Sequence, residues 1–565
     1  MLRALAAFSA LAATLPPQGA AQPARPNVVL IMADDMGFTD VGCYGGEVAT
    51  PTIDRLAREG VRMSQFYNTS RCCPTRAALL TGLYSHQTGI GLMTGDRGYD
   101  AYRGDLNRRC VTIAEALRPA GYRNYMAGKW HVTRHVAPTG PKHNWPLQRG
   151  FDRFYGTVTG AGSFFDPTTL CRDNTYVTPE NDAEYRPERF YYTDAITDQA
   201  VRFVREHDEQ HTDAPFFLYV AYTTAHWPMH ALEADIAKYE GVYDDGFEPV
   251  RARRLARARA RGVLAPEWPM SEAPRPWSKT PNHAWEARNM QVYAAMIDRM
   301  DQGIGRLVAE LERQGRLDDT LIVYLQDNGG CAEGMGRQSN ADKIRGRTYE
   351  PLGADGLQKQ IWPPMQTRDG RPVRTGPGVV AGAEDTYIGY GQGWANVSNT
   401  PFRGYKHDAY EGGISTPFVV RWPRGLAASQ AGTVVHAPGH LIDVMPTILA
   451  AAGAAYPKGD DGRRLHPPEG VDLLPALRGG GLTRAAPLCF EHHGNLGLRD
   501  GRWKLVSQHR NGLPITWELY DMEADRTEQQ DLAAAQPERV LALARKWQRW
   551  ADRVGVQPWP IKKRR

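Results

Sequence analysis

Long apolar runs are scarce in this sequence. Past the opening stretch, no segment approaches the roughly 20 consecutive apolar residues needed to span a bilayer, so a membrane-spanning helix is excluded from the body of the chain. Cysteine is sparse as well: seven of 565 residues, at positions 43, 72, 73, 110, 171, 331 and 489. They show neither zinc-ligand spacing nor the even count of a disulfide framework, so at least one thiol stays outside intramolecular bridges. Charge of one sign is not in excess: 68 Lys+Arg against 63 Asp+Glu leaves +5, too little to argue for a nucleic-acid partner. Internal repeats and low-complexity tracts are missing beyond the leader. What is present is ordinary globular material, 42% hydrophobic and 23% charged, in a chain too long for a single core. One large domain and a smaller one are expected.

The leader itself has a charged start (Met1-Leu2-Arg3), an Ala/Leu-rich run to Leu15 that stops at Pro16-Pro17, and a small-residue exit at Gly19-Ala20-Ala21. That is the form of a secretory signal over residues 1–21, removed on export, and it predicts a periplasmic or secreted protein.

Asn27 to Met32 is a short continuous apolar run rich in β-branched residues, the pattern of a strand buried on both faces of a parallel sheet. It ends in Asp34-Asp35. Three further runs behave alike: Tyr122 to Ala127 leads into Lys129-Trp130-His131, Phe216 to Thr223 into His226, and Leu321 to Leu325 into Asp327-Asn328. Amphipathic stretches at Thr52 to Glu59, Thr112 to Arg118 and around Val292 to Arg313 alternate with them. The expected fold is therefore α/β, a large mostly parallel sheet sandwiched by helices, with ligands bound outside the carboxyl ends of the strands. Two segments, Tyr239 to Pro281 and Gly334 to about Ala395, are too long for plain connections and are expected to shape substrate access. The catalytic domain is expected over 26–456, with a helix-like Leu441 to Ala454 near its end and a Gly/Pro-rich boundary after it. A C-terminal unit over 482–556 reads as an antiparallel sheet (Leu488 to His492, Trp503 to Val506, Trp517 to Tyr520) with one helix from about Glu538 to Arg553.

The sharpest local feature is Cys72-Cys73-Pro74-Thr75-Arg76, followed by Leu80-Thr81-Gly82. Pro74 suits the first turn of a helix and Gly82 its end, which sets Cys72 at a helix N-terminus, where unpaired N–H groups favour an anion. Arg76 would lower the thiol pKa further; the bland alternative is a buried or bridged thiol. Asp34, Asp35, Asp327 and Asn328 offer hard oxygen ligands only, which suits Ca²⁺ or Mg²⁺ over zinc. Asp-Asn-Gly alone would be read as a turn. Lys129 and His131, one residue apart, share a face if the segment stays extended. His230 is read as scaffolding, and the run Arg251, Arg253, Arg254, Arg257, Arg259, Arg261 as a solvated helical face.

On these residues the chain resembles the type I sulfatase family of the alkaline-phosphatase-like superfamily, whose signature is Cys-x-Pro-x-Arg with Leu-Thr-Gly downstream. Cys72, Pro74, Arg76, Leu80, Thr81 and Gly82 fit it, and the similarity runs from about Asn27 to Leu532. Trp394-Ala395-Asn396, Asn399-Thr400-Pro401 and Glu411-Gly412-Gly413 look like bacterial arylsulfatases. The resemblance implies that Cys72 is oxidised to formylglycine by a dedicated maturation enzyme, and that one Ca²⁺ per chain is bound by Asp34, Asp35, Asp327, Asn328 and position 72. It matches Lys406 and His226 to the remaining basic positions. The implied reaction is hydrolysis of a small-molecule or carbohydrate sulfate ester through a covalent sulfo-enzyme. Lys129, Lys406 and the metal would stabilise charge, His226 would act as general acid, His131 would deprotonate the second hydroxyl, and Arg76 would hold the hydrate. Glu491-His492-His493-Gly494-Asn495 resembles a segment of related arylsulfatases and makes His492 a candidate substrate contact. Thr75 stands where serine is often seen, and Cys73 beside the nucleophile raises the prospect of a Cys72-Cys73 disulfide that would block maturation. The rival readings are a phosphonate or phosphate ester hydrolase of the same superfamily, a carbohydrate-specific sulfatase, and an inactive sulfatase-like binding protein.

Overall fold

The structure is a computed structural model that describes residues 25–459 and 464–564; the expected signal segment lies outside them. The core of the main sheet is five parallel strands, in the spatial order Thr320–Gln326, Asn27–Ala33, Phe216–Ala221, Arg123–Gly128, Arg153–Thr157. Beyond Thr320–Gln326 comes Ser415–Arg421, antiparallel to it and to the next strand, Val61–Tyr67. With short strands at both margins the sheet has eleven strands among the described residues and is mostly parallel.

Both faces of the central strands are covered, which is why they read as unbroken apolar runs. Successive side chains alternate in direction: Val29, Ile31 and Ala33 join one core, and Val28, Leu30 and Met32 the other. The first core is closed by the helices Pro51–Glu59, Tyr192–Gln210 and His283–Arg313, the second by Cys72–Thr81, Ile113–Leu117 and Val444–Ala452. The long helix begins at His283, well ahead of the expected start near Val292. No helix among the described residues is long and apolar enough to cross a membrane.

A four-stranded antiparallel sheet, Leu488–His492, Asn495–Asp500, Trp503–Ser507 and Glu518–Asp521, packs on the second core together with the helix Pro537–Val554. Leu543, Trp547, Trp550, Ala551 and Val554 form the buried stripe of that helix, at the i, i+4, i+7 spacing of an amphipathic face. Asn495–Asp500 was not expected. It follows a two-residue hairpin in which His493 and Gly494 both take positive φ (53° and 77°), the demand of a type I′ turn.

The first insertion is less peripheral than its arginine-rich sequence suggested. Its helix Phe247–Ala260 is a solvated face only in part: Arg253 is exposed, but Arg251 and Arg254 are buried, and Arg254 pairs with Asp40 (2.6 Å) and Glu47 (2.6 Å). Asp40 in turn accepts a hydrogen bond from Tyr293 Oη, whose hydroxyl also lies 3.1 Å from the Asp35 carbonyl. A buried guanidinium is tolerated only when paired, and here the pairing props the loop that carries Asp34-Asp35.

Candidate active site

Because the parallel strands run together and end level, their carboxyl ends deliver side chains to one rim: Asp327 and Asn328 after Gln326, Asp34 and Asp35 after Ala33, Lys129 after Gly128, and His226 shortly after Ala221. The helix Cys72–Thr81 points its N-terminus at this rim. It is buried along its whole length and stops at Gly82 in the left-handed conformation (φ 66°). Thr75 Oγ1 accepts from the Thr69 backbone N–H (3.1 Å) and anchors the first turn.

Arg76, one turn past Cys72 and fully buried, ties the rim together. Its Nη2 reaches Asp34 Oδ2 (3.3 Å) and Asp327 Oδ2 (3.0 Å), and its Nη1 donates to the Lys129 carbonyl (3.1 Å). Lys129 Nζ pairs with Asp34 Oδ2 (2.5 Å) and Lys406 Nζ with Asp35 Oδ2 (2.8 Å). Asn328 Nδ2 donates to Asp35 Oδ1 (2.7 Å), and the Asp35 N–H to Asp327 Oδ1 (3.2 Å). Three carboxylates and three cations thus share one buried space. Burial and the Asp327 charge push the Asp34 carboxyl up to about 7, and burial also raises Asp327. Burial works against the Asp35 carboxylate too, but Lys406 and His226 outweigh it and bring its pKa down. Asp34 Oδ1 and Asn328 Oδ1 are buried oxygens without a hydrogen-bond donor. Unpaired hard oxygens beside mutually repelling carboxylates fit a divalent cation such as calcium, which would relieve both deficits.

The Cys72 thiol is held well below its ordinary pKa, by hydrogen bonding from Cys73 and by the positive charge of Lys129, while burial drives Cys73 up. All seven cysteines are free and buried in the structure. His131 does not continue the strand as expected: it turns into positive φ (56°), and its Nε2 meets Cys73 Sγ at 3.1 Å. Its ring still enters the pocket that Lys129 serves. Burial brings His131 down to about 4, so the imidazole is neutral at neutral pH and able to accept a proton. His226 Nδ1 lies 2.6 Å from the Trp227 carbonyl, which fixes Nδ1 as the protonated nitrogen and leaves Nε2, 3.5 Å from Asp35 Oδ2, facing the site. Burial lowers His226 on balance, against the opposing pull of Asp35. Lys406 rises well above the usual lysine range, the attraction of Asp35 overcoming burial.

The structure therefore brings together Asp34, Asp35, Cys72, Arg76, Lys129, His131, His226, Asp327, Asn328 and Lys406. His492 stands apart from their hydrogen bonds. It is buried in a cluster of three imidazoles, 5.3 Å from the ring of His407 and 4.2 Å from that of His493, with neither nitrogen partnered. His230 is scaffolding, its Nδ1 accepting from the Phe164 N–H and its Nε2 donating to the Thr386 carbonyl. Glu333 escaped sequence reading. It accepts from Arg71 Nη1 (2.9 Å) and Trp227 Nε1 (3.0 Å), contacts His407 Nε2 (3.0 Å) and lies 3.5 Å from Lys406 Nζ. Nothing in its local sequence, at the mouth of an irregular insertion, signalled this.

Cations interleaved with carboxylates around an acidified side chain at a helix N-terminus, on the rim of such a sheet, define a hydrolase of tetrahedral oxyanion esters with the alkaline-phosphatase-like fold. The chain belongs to the sulfatase family, whose model matches residues 26–454. It is 32% identical to an arylsulfatase of Klebsiella aerogenes over 466 residues, 80% of this chain and 92% of that protein. It is 28% identical to an uncharacterized sulfatase of Schizosaccharomyces pombe over 579 residues, 96% of each. Its fold is shared with Ps i-CgsB, solved in complex with k-i-k-neocarrahexaose, at a TM-score of 0.62, 23% identity and 93% coverage of both chains. The protein is a sulfatase, an enzyme of sulfate ester hydrolysis.

Proposed function

We propose that this sulfatase works with a formylglycine at position 72, made from Cys72 by a separate maturation enzyme, and with one Ca²⁺ held by Asp34, Asp35, Asp327, Asn328 and the position-72 side chain. The observation that carries the reading is the acidified Cys72 at a helix N-terminus, with Arg76 bridging Asp34 and Asp327 one turn behind it. When bound, calcium would supply positive charge for the sulfuryl oxygens and for an ionising hydroxyl. The hydrated formylglycine would supply two hydroxyls on one carbon, one to attack sulfur with formation of a covalent sulfo-enzyme, the other to lose its proton as sulfate departs.

The other residues have distinct tasks in this proposal. Lys129 and Lys406 draw in the sulfuryl oxygens, and their burial strengthens that attraction over what water would allow. His226, with Nδ1 committed to the Trp227 carbonyl, delivers a proton from Nε2 to the leaving oxygen when the ring is doubly protonated, the form that the adjacent Asp35 carboxylate favours. His131, kept neutral by burial, takes the proton released at position 72. Arg76 holds the position-72 hydrate against the rim carboxylates. His492, packed against His407, is the candidate contact to the organic part of the ester. The leader over residues 1–21 would send the enzyme to the periplasm or the medium.

Aryl esters are the first reading of the substrate, in line with the named bacterial relative. Carbohydrate sulfate esters are the second, in line with the oligosaccharide held by the fold neighbour. Peptide mass spectrometry across position 72 of active enzyme tests the nucleophile: loss of the thiol mass in favour of the aldehyde is expected, and an unmodified thiol in fully active protein overturns it. Parallel assays on aryl sulfate and aryl phosphonate esters test the reaction, and a higher kcat/KM on the phosphonate would reassign the preferred substrate.

A further inference from the structure

Trp362 is one of few large apolar side chains left exposed among the described residues, at 42%, and it is the one that belongs to the active-site rim. Its ring lies 4.7 Å from that of Trp227, and Trp227 lies 4.1 Å from the ring of His226. Three rings in file thus lead from the imidazole that faces the reacting centre to open solvent. Trp227 is itself fixed, with Nε1 donating to Glu333 and Lys406 Nζ 5.8 Å above its face. The backbone leading into Trp362 is pinned twice, since the Gln360 carbonyl accepts from Thr168 Oγ1 (2.9 Å) and the Ile361 carbonyl from Tyr387 Oη (2.7 Å). An indole held in place and left half in water has apolar area to offer a ligand.

From this geometry we infer that Trp362, carried on Trp227, is the platform for the organic portion of the substrate, and that this portion is a flat ring. The inference rests on the sulfatase reading with His226 on the leaving-group side. A sulfuryl group among Lys129, Lys406 and position 72, with its ester oxygen turned to His226 Nε2, directs the departing group past Trp227 toward Trp362. A planar aromatic ring or the C–H face of a pyranose stacks on an indole, whereas a short acyclic chain does not cover it.

The test is kcat/KM for Trp362→Ala and Trp362→Phe, on the matured full-length chain, with 4-methylumbelliferyl sulfate, glucosamine 6-sulfate and ethyl sulfate, together with the inhibition constant of inorganic sulfate. Trp362→Ala is expected to lower kcat/KM about 5- to 10-fold on a ring ester, the range of one aromatic contact, mainly through KM. Trp362→Phe should recover most of it, and ethyl sulfate turnover and sulfate inhibition should stay unchanged. A larger loss on the aryl ester names an aromatic occupant, and a larger loss on the sugar ester a pyranose. Equal losses on all three substrates, or none on either ring ester, overturn the platform. If the wild-type enzyme cleaves no sulfate ester at all, the sulfatase reading fails instead, a result that is separate from the behaviour of the variants.

Discussion

Replacing Gly160 by alanine is expected to slow turnover by about 100-fold while leaving the protein folded. A Cβ at this position would lie 1.9 Å from His131 Cε1 and 2.4 Å from His131 Nε2. Ordinary carbon contact begins near 3.5 Å, so something must retreat by about 1.6 Å. The backbone around Gly160 is tied down: Val158 and Thr159 N–H donate to the Thr169 carbonyl (3.3 Å) and Thr169 Oγ1 (2.9 Å), and the His131 N–H donates to the Val158 carbonyl (3.1 Å). The imidazole, held at Nε2 only by Cys73, is the part free to give way. Displacing a proton acceptor by 1 Å or more costs about 100-fold in rate, close to 2.7 kcal/mol of barrier. Crowding should take about 1–3 kcal/mol from stability, within the reserve of a well-packed domain. The assay is kcat on an aryl sulfate with a parallel melting curve, repeated in a His131→Ala background. Wild-type kcat in Gly160→Ala, or an undiminished further loss when His131 is already gone, would refute the claim that the glycine makes room for this ring.

Chelation should abolish turnover and lower Tm, because Asp34, Asp35 and Asp327 are then left to one another and to the three cations, and added Ca²⁺ should restore both. Full activity in excess chelator would count against the metal. A pH effect is expected outside the catalytic cluster, where Glu411, Glu528, Lys504 and Arg526 are fully buried between the main sheet and the C-terminal sheet. Burial and the neighbouring Glu411 raise Glu528 to about 7. A carboxyl with a raised folded pKa stabilises fully below its ordinary value and loses that contribution as pH climbs through the folded one, so Tm should fall between about pH 5 and pH 8. Glu528→Gln should flatten that slope, and an unchanged slope in the variant would dismiss Glu528 as its source.

Much of the central sheet could be read from the residues, for a physical reason. Parallel strands covered on both faces need apolar side chains at every position, so Asn27–Ala33, Phe216–Ala221 and Thr320–Gln326 announced themselves and marked where their polar ends must gather. Val61–Tyr67 was hidden because Arg62, Ser64 and Gln65 break its run, and Ser415–Arg421 because Pro417 sits within it. Asn495–Asp500 was hidden by its His-Gly turn and its central Gly497, which resemble loop. The helix over 247–260 was read as solvated because the partners that neutralise Arg254, Asp40 and Glu47, lie over 200 positions away, and no local pattern reports a charge pair at that distance. Glu333 was overlooked for the same reason. The pocket residues were located by motif and by strand ends; their gathering follows from strand order, and their tasks are the proposals tested above.

The Cys72 side chain is only 1% exposed, inside a helix buried along its entire length. That core is completed by chain drawn from as far away as the final helix over 537–554. An enzyme large enough to alter this thiol could not reach it in the finished molecule. The oxidation proposed for Cys72 would have to come first and closure second, which would make the order of events during biosynthesis, and not only the residues, a condition for an active protein.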